Sequence, residues 1–305
     1  MARKVKISIL SGSRTLESAS SAIKSFGIMK DYWISQFEQV AYDRPDFVVL
    51  PEACDRFLDM DGSVVAEYDD IRENEIQVFF SKLALDYRTG IVYNTRIANR
   101  NTSYACMPDG ALAGRYDKVF PTTWEMDDGI IPGREAVVFD FGPIKKAGFA
   151  ICFDLNFDEL REEYAKRKPE VIFFSSMYHG GLMQRTWAYT TRSFFVSSIC
   201  ARECAITAPN GRIIANSTNY TEFCTGEINL DSELIHLDFN RDKFGDIKKK
   251  YGPGVIIDDI GYLGSALLSC ELEDKTMDDV IREFDLIKLD DYFNHSRAER
   301  TRRLP

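Results

Sequence analysis

Short apolar runs recur along this chain, and stretches with helical spacing separate them, an alternation that a layered α/β arrangement buries best. VKISIL reads as the first strand, and 18–42 as a helix whose apolar face carries Ile23, Phe26, Trp33 and Phe37. FVVL is a buried strand, and 71–86 is helical with Phe79, Leu83 and Leu85 turned inward. GIVYNTRIA and TSYACM are β-rich, and MPDGAL supplies a turn before RYDKV. After AVVFDF and the Gly142–Pro143 turn, strands resume in AGFAIC and EVIFFSS, with FDELREEYAKRK helical between them. TWAYTTRSFFVSSIC begins as a helix and ends as a strand, and ITAPNGRIIANS is a hairpin around Asn210–Gly211. From Asn240 onward charged residues dominate, broken by YGPG and the helix-like DDVIREFDLIKL, and the chain closes on the basic HSRAERTRRLP.

Three of these runs stop on groups capable of chemistry. AGFAIC ends on Cys152, DFVVLPEA runs into Glu52, and Lys118 lies just beyond the extended run of GALAGRYDKVFP. Strand ends are where α/β proteins present reactive groups. Taken singly, each has a plain structural reading: a small buried thiol, a solvated loop carboxylate, a surface ammonium. Together a thiol, a carboxylate and an ammonium make a nucleophile, a base and an electrostatic stabiliser.

Composition narrows the class of function. A net charge of −10 argues against nucleic-acid binding as the main task. The seven cysteines (Cys54, Cys106, Cys152, Cys200, Cys204, Cys224 and Cys270) are odd in number and contain no CxxC pair, so reduced thiols are expected. MARKVKISILSGS reads as a first strand and not as a signal peptide, no apolar stretch is long enough to span a bilayer, and a cytoplasmic protein is expected. Three scattered histidines give no metal-site spacing, no GxSxG marks a serine hydrolase, and no glycine loop suits a phosphate. Neither a cofactor nor a metal is expected.

The three motifs, in this order, resemble those of the nitrilase (carbon–nitrogen hydrolase) superfamily, from the first strand to about Tyr262. Members place a Glu in an LPE segment, a Lys in a YxK segment after a DG turn, and a Cys in a CxDxxFxEL segment. Here these are LPE at Glu52, RYDK at Lys118 and CFDLNFDEL at Cys152. Asn94 before the hairpin, IIPG ahead of the Cys strand and the terminal GEINLD accompany them. Asn156 and Asp158 depart from the usual residues before and inside the FPEL segment, and Ser11 ends the first strand where many relatives carry Gln. CFDLN is closer to the amidase and ureide-hydrolase branches than to the CWEN of true nitrilases.

The resemblance implies a four-layer α-β-β-α sandwich with two mixed sheets, spanning 1–270. The residues 271–305 read as a C-terminal extension that packs over a neighbouring subunit or over the domain's own surface, with a frayed tail as the alternative for the final ten or so. The resemblance also implies a thiol-dependent hydrolase of a small amide or N-carbamoyl compound, working through a Cys152 thioester, with nitrile hydrolysis or a catalytically silent scaffold as alternatives. Glu52 would be the base, and Lys118 would stabilise the oxyanion beside the backbone N–H of Phe153. Glu125 in TTWEMDDG would be a second glutamate, although it also reads as an exposed acid among Asp127 and Asp128. Thr123, Trp124, Tyr178 and His179 would lie near the entrance by analogy of position. A Cys152–His179 dyad is the competing enzyme reading, and it leaves Glu52 and Lys118 unexplained. Relatives pair through helical faces, so a homodimer or higher homo-oligomer is expected.

Overall fold

The computed structural model describes residues 2–12 and 16–305. The chain divides into two compact units, Lys6–Glu227 and a second made of the residues through Val5 with Ile228–Pro305. The larger unit opens with β1 (Lys4–Leu10, which begins before it), α1 (Ala22–Ala41), β2 (Phe47–Val49) and α2 (Gly62–Tyr87). A meander follows, β3 (Gly90–Ile97), β4 (Arg100–Cys106) and β5 (Leu112–Asp117), then the short α3 (Thr123–Asp127). The hairpin β6 (Val138–Phe141) and β7 (Ile144–Ile151) leads into a 3-10 turn, Cys152–Asn156. After it come α4 (Asp158–Arg167), β8 (Val171–Ser176), α5 (Leu182–Thr191) and β9 (Phe194–Ile199). β10 (Ala205–Thr207), β11 (Ile213–Asn216) and β12 (Phe223–Asn229) complete the sheets.

The strands form two six-stranded sheets, ordered β12-β1-β2-β3-β4-β5 and β11-β10-β9-β8-β7-β6. Both are mixed. In the first, β1, β2 and β3 run parallel and the meander runs antiparallel. In the second, β7, β8 and β9 run parallel between antiparallel hairpins. Helices α1 and α2 bury Phe26, Met29, Trp33, Phe37, Ile76 and Phe80 in a core shared with Val48 and Tyr93 of the first sheet. α4 and α5 bury Leu160, Tyr164 and Trp187 with Ile172 and Phe195 of the second. Between the sheets, Phe47 meets Phe141 at 4.5 Å and Phe173 at 6.2 Å. Each such ring contributes roughly 1.5–3 kcal/mol by burial. The result is the expected α-β-β-α order of layers.

Periodicity explains the two places where the helices differ from expectation. In α1 the buried residues Ala22, Phe26, Met29, Trp33, Phe37 and Val40 step by three or four, so Ile23 falls off the stripe and is 70% exposed. In α2 the stripe runs through Ile76, Phe80, Leu83 and Ala84, which leaves Leu85 57% exposed. The serine hydroxyls Ser175 and Ser198 stitch the sheets together, donating to the carbonyls of Leu50 (2.8 Å) and Leu10 (2.7 Å). Both stitches lie at the carboxyl ends of parallel strands.

The C-terminal unit contains β13 (Ser232–His236), α6 (Phe244–Tyr251), β14 (Val255–Asp258), β15 (Ser265–Cys270), α7 (Met277–Glu283) and α8 (Leu289–Arg303). Its strands form an antiparallel sheet, β13-β15-β14. Ile235, Ile247, Val255, Leu268, Val280 and Ile281 make its own core. The basic end of the sequence forms the last turns of α8, a helix whose one buried residue is Leu289.

Candidate active site

Glu52, Lys118 and Cys152 follow β2, β5 and β7 respectively, each at a carboxyl end. The fold brings them together. Glu52 is 2% exposed, and its Oε1 accepts from Lys118 Nζ at 3.1 Å and from Asn101 Nδ2 at 2.8 Å. Its Oε2 accepts from the Met177 N–H at 3.1 Å. The Cys152 thiol lies against the same carboxylate and the Met177 main chain.

Glu125 is buried, not a surface acid. Its Oε2 accepts from Lys118 Nζ (2.8 Å) and the Thr122 N–H (2.8 Å), and its Oε1 from Arg96 Nη2 (2.6 Å) and Asn101 Nδ2 (2.9 Å). Asn101 thus uses both amide hydrogens to tie the two glutamates together, while its Oδ1 accepts from Asn94 Nδ2 at 2.9 Å. Burial would raise the Glu125 carboxyl, but the Lys118 charge and these donors hold it down at about 2. Burial would likewise lower the Lys118 ammonium, yet Glu52, Cys152 and Glu125 hold it above its ordinary value. Lys118 is therefore a fixed cation held between two carboxyl groups.

Cys152 begins the 3-10 turn with φ 47°, a left-handed conformation uncommon for a residue with a side chain. Asp154 holds that turn. One carboxylate oxygen accepts from the Ile151 N–H (2.9 Å) and the Tyr116 hydroxyl (2.7 Å), the other from the Phe120 N–H (2.8 Å). Tyr116 and Phe120 stand two residues either side of Lys118, so one buried carboxylate couples the lysine segment to the cysteine turn. Burial pushes Asp154 up to about 6, against those donors. Burial, and then the charge of Glu52, push the Cys152 thiol up to about 12, with Lys118 opposing.

IIPG also has a physical explanation. The Gly133 N–H donates to the Lys118 carbonyl at 2.7 Å, and a Cβ on Gly133 would sit 2.1 Å from the Asp117 oxygen. Only glycine admits that approach.

The remaining expected residues scatter. Phe153 is half-buried in the cysteine turn, edge-on to Phe157 at 5.3 Å. Tyr178 is half-buried, its carbonyl accepting from the Ser176 hydroxyl, and burial followed by the Cys152 charge raises its phenol. Trp124 is 56% exposed under the Arg96 guanidinium, 5.2 Å from its ring, and Thr123 is exposed. His179 is exposed and turns into a separate cavity with Gln184, Arg185 and Glu203, while its Nδ1 accepts from the Gly181 N–H. Asn101, Arg96 and Asp154 were not expected. The signal for the first two is a polar residue where the alternation of β3 and β4 turns inward, since Arg96 pairs directly with Asn101 across those strands.

A cavity of about 60 Å³ beside Glu52 is lined by Trp33, Ala53, Cys54, Met177 and Cys200. Among the described residues, no cluster of three His, Cys, Asp or Glu side chains is arranged to hold a metal ion, and no helix is long and apolar enough to cross a membrane.

The α-β-β-α order of layers agrees with the comparison with known proteins. The chain belongs to the carbon–nitrogen hydrolase family, whose model matches residues 14–233. Among curated relatives, human omega-amidase NIT2 is 26% identical over 118 residues, covering 34% of this chain and 42% of the relative. Omega-amidase NIT2-A of Xenopus laevis is 24% identical over 155 residues, covering 43% and 56%. The chain spans about half the length of the curated relatives it matches. Saccharomyces cerevisiae Nit3, a member of branch 10 of the nitrilase superfamily, superposes with a TM-score of 0.60 at 17% identity, covering 82% of this chain and 94% of that one. An amidase from Nesterenkonia sp. gives 0.62 at 12% identity, covering 81% and 96%. These likenesses establish the shared fold.

Proposed function

We propose that this chain is an amidase-type hydrolase of a small, non-peptide carbon–nitrogen bond, with Cys152 as nucleophile. The observation that carries the reading is the Lys118 ammonium, 3.1 Å from Glu52 and 2.8 Å from Glu125, behind a thiol in contact with Glu52. The names of the curated relatives, omega-amidases, point the same way.

The thiol is protonated at rest, so attack and proton transfer belong to one event. Glu52 accepts the proton as sulfur bonds the carbonyl carbon, and the carbonyl π pair moves onto oxygen. Lys118 and the Phe153 N–H receive that oxyanion. Collapse breaks the C–N bond, and Glu52 returns the proton to the departing amine, leaving a thioester. Water then yields a proton to Glu52 and attacks the thioester. The carboxylic acid leaves, and the thiol is restored. Glu125, with its acceptor positions taken, serves by fixing Lys118. Tyr178 and Trp124 are candidate walls for the acyl group.

Ammonia release from aliphatic amides, dicarboxylate monoamides, N-carbamoyl compounds and nitriles, with Cys152→Ala alongside, tests this. One class is expected to turn over, with at least about a thousandfold loss in Cys152→Ala and Glu52→Gln and unchanged circular dichroism. Full activity in folded Cys152→Ala would sink the mechanism. Silence of the wild type across the panel would favour a scaffold.

A further inference from the structure

Glu52 and Met177, the two residues against which the Cys152 thiol lies, both line the small cavity beside Glu52, together with Tyr32, Trp33 and Leu58. Among its described lining residues, Glu52 and Arg56 alone carry charge. Glu52 is buried and matched by Lys118 at 3.1 Å. Arg56 is exposed, and its guanidinium makes no hydrogen bond or ion pair with the described residues. It also borders a space lined by Asp69, Glu73 and Asp128, but none of the three pairs with it, and Asp69 is committed to Arg72 at 3.0 Å. Partial desolvation, then the like charges of Arg96 and Arg72, hold Arg56 below the usual guanidinium range, against Asp55 and Asp69. An anion beside it would offset those like charges.

The lining selects what can enter. Aromatic and aliphatic walls favour a methylene chain, and about 60 Å³ leaves room for a short unbranched one and not for a bulky ring. A charge placed against such walls is costly, so a charged group belongs at the exposed end, by Arg56. A carboxylate fits that end on two counts. The guanidinium fork matches its two oxygens, and the Glu52 carboxylate disfavours it at the end near the thiol. An ammonium by Arg56 would instead meet an unmatched like charge.

We propose that Arg56 is a specificity-determining residue of this site, anchoring a carboxylate at the far end of a short acyl chain whose amide carbonyl meets Cys152. The substrate class is then the monoamide of a small dicarboxylic acid, and not a neutral aliphatic amide. This inference rests on the amidase reading and adds to it the residue that chooses the acyl group.

Ammonia release from glutaramate, from valeramide as the uncharged amide of the same chain length, and from aminovaleramide as its ammonium counterpart tests the anchor. The kcat/KM for glutaramate is expected to exceed that for valeramide by at least about tenfold. That ratio is expected to fall toward one in Arg56→Gln, to survive in part in Arg56→Lys, and to give way to a preference for aminovaleramide in Arg56→Glu, each variant checked for folding by circular dichroism. Calorimetric titration of the Cys152→Ala protein with glutaramate and valeramide reads the same preference without turnover, and adding Arg56→Gln is expected to remove it. A wild-type ratio near one, or an unchanged ratio in Arg56→Gln, would overturn the anchor and leave the hydrolase standing. Silence on every amide with the calorimetric preference intact would overturn the hydrolase and keep the anchor, and silence without that preference would overturn both.

Discussion

A thiol held near pKa 12 has a thiolate fraction on the order of one part in 10⁵ at neutral pH. The cause is local: burial first, then the Glu52 charge, with Lys118 insufficient to offset them. This differs from a thiolate–imidazolium pair, in which the nucleophile is ionised before substrate arrives. The sign is direct, since raising the pH can only increase the ionised share. Alkylation of Cys152 by iodoacetamide, followed by peptide mass analysis, is expected to accelerate about tenfold per pH unit from pH 7 to 10 without levelling. A plateau below pH 9 would mean that Lys118 stabilises the thiolate far more than this geometry indicates.

At the scale of elements, the site depends on how segments distant in sequence are clamped. Gly133→Ala places a methyl group 2.1 Å from the Asp117 oxygen, where only backbone can yield. It is expected to cost about 1–3 kcal/mol in thermal unfolding and to lower turnover about tenfold or more by shifting Lys118; wild-type values for both would show that the segment gives way freely. The same scale explains what could be read in advance. Glu52, Lys118 and Cys152 each terminate an apolar run, a local signal. Asn101 reaches Glu52 across 49 residues of sequence, and Asp154 reaches Tyr116 across 38. Those pairings depend on strand register and on which sheet faces which, and neither is written into any short window. Glu125 shows the difference sharply: beside Asp127 and Asp128 it looks solvated, yet the Thr122 cap and the Lys118 ammonium draw it inside. Ile23 and Leu85 failed for a smaller reason, because an apolar residue one position off the stripe lies about 100° around the helix.

For the molecule as a whole, the C-terminal segment carries weight in its own unit. Met277, Val280, Ile281, Leu286 and Leu289 are buried there, whereas α8 beyond its first turns is largely exposed. Truncation after Cys270 is expected to uncover Ile235 and Leu268 and lower the melting temperature by several degrees, while truncation after Ala298 leaves it within about two. Equal stability of the two truncated forms would show that 271–305 is an appendage. The buried cluster has a property of its own. Lys118 and Arg96 are matched by Glu52 and Glu125, so the resting centre is electrically closed even though the chain is strongly acidic. An uncharged group can enter it without working against a net field, and in the proposed mechanism the charges rearrange only when the thiol proton moves. Replacing either glutamate by glutamine therefore does more than remove an acceptor: it leaves a buried cation in surplus and turns a neutral chamber into one that attracts anions.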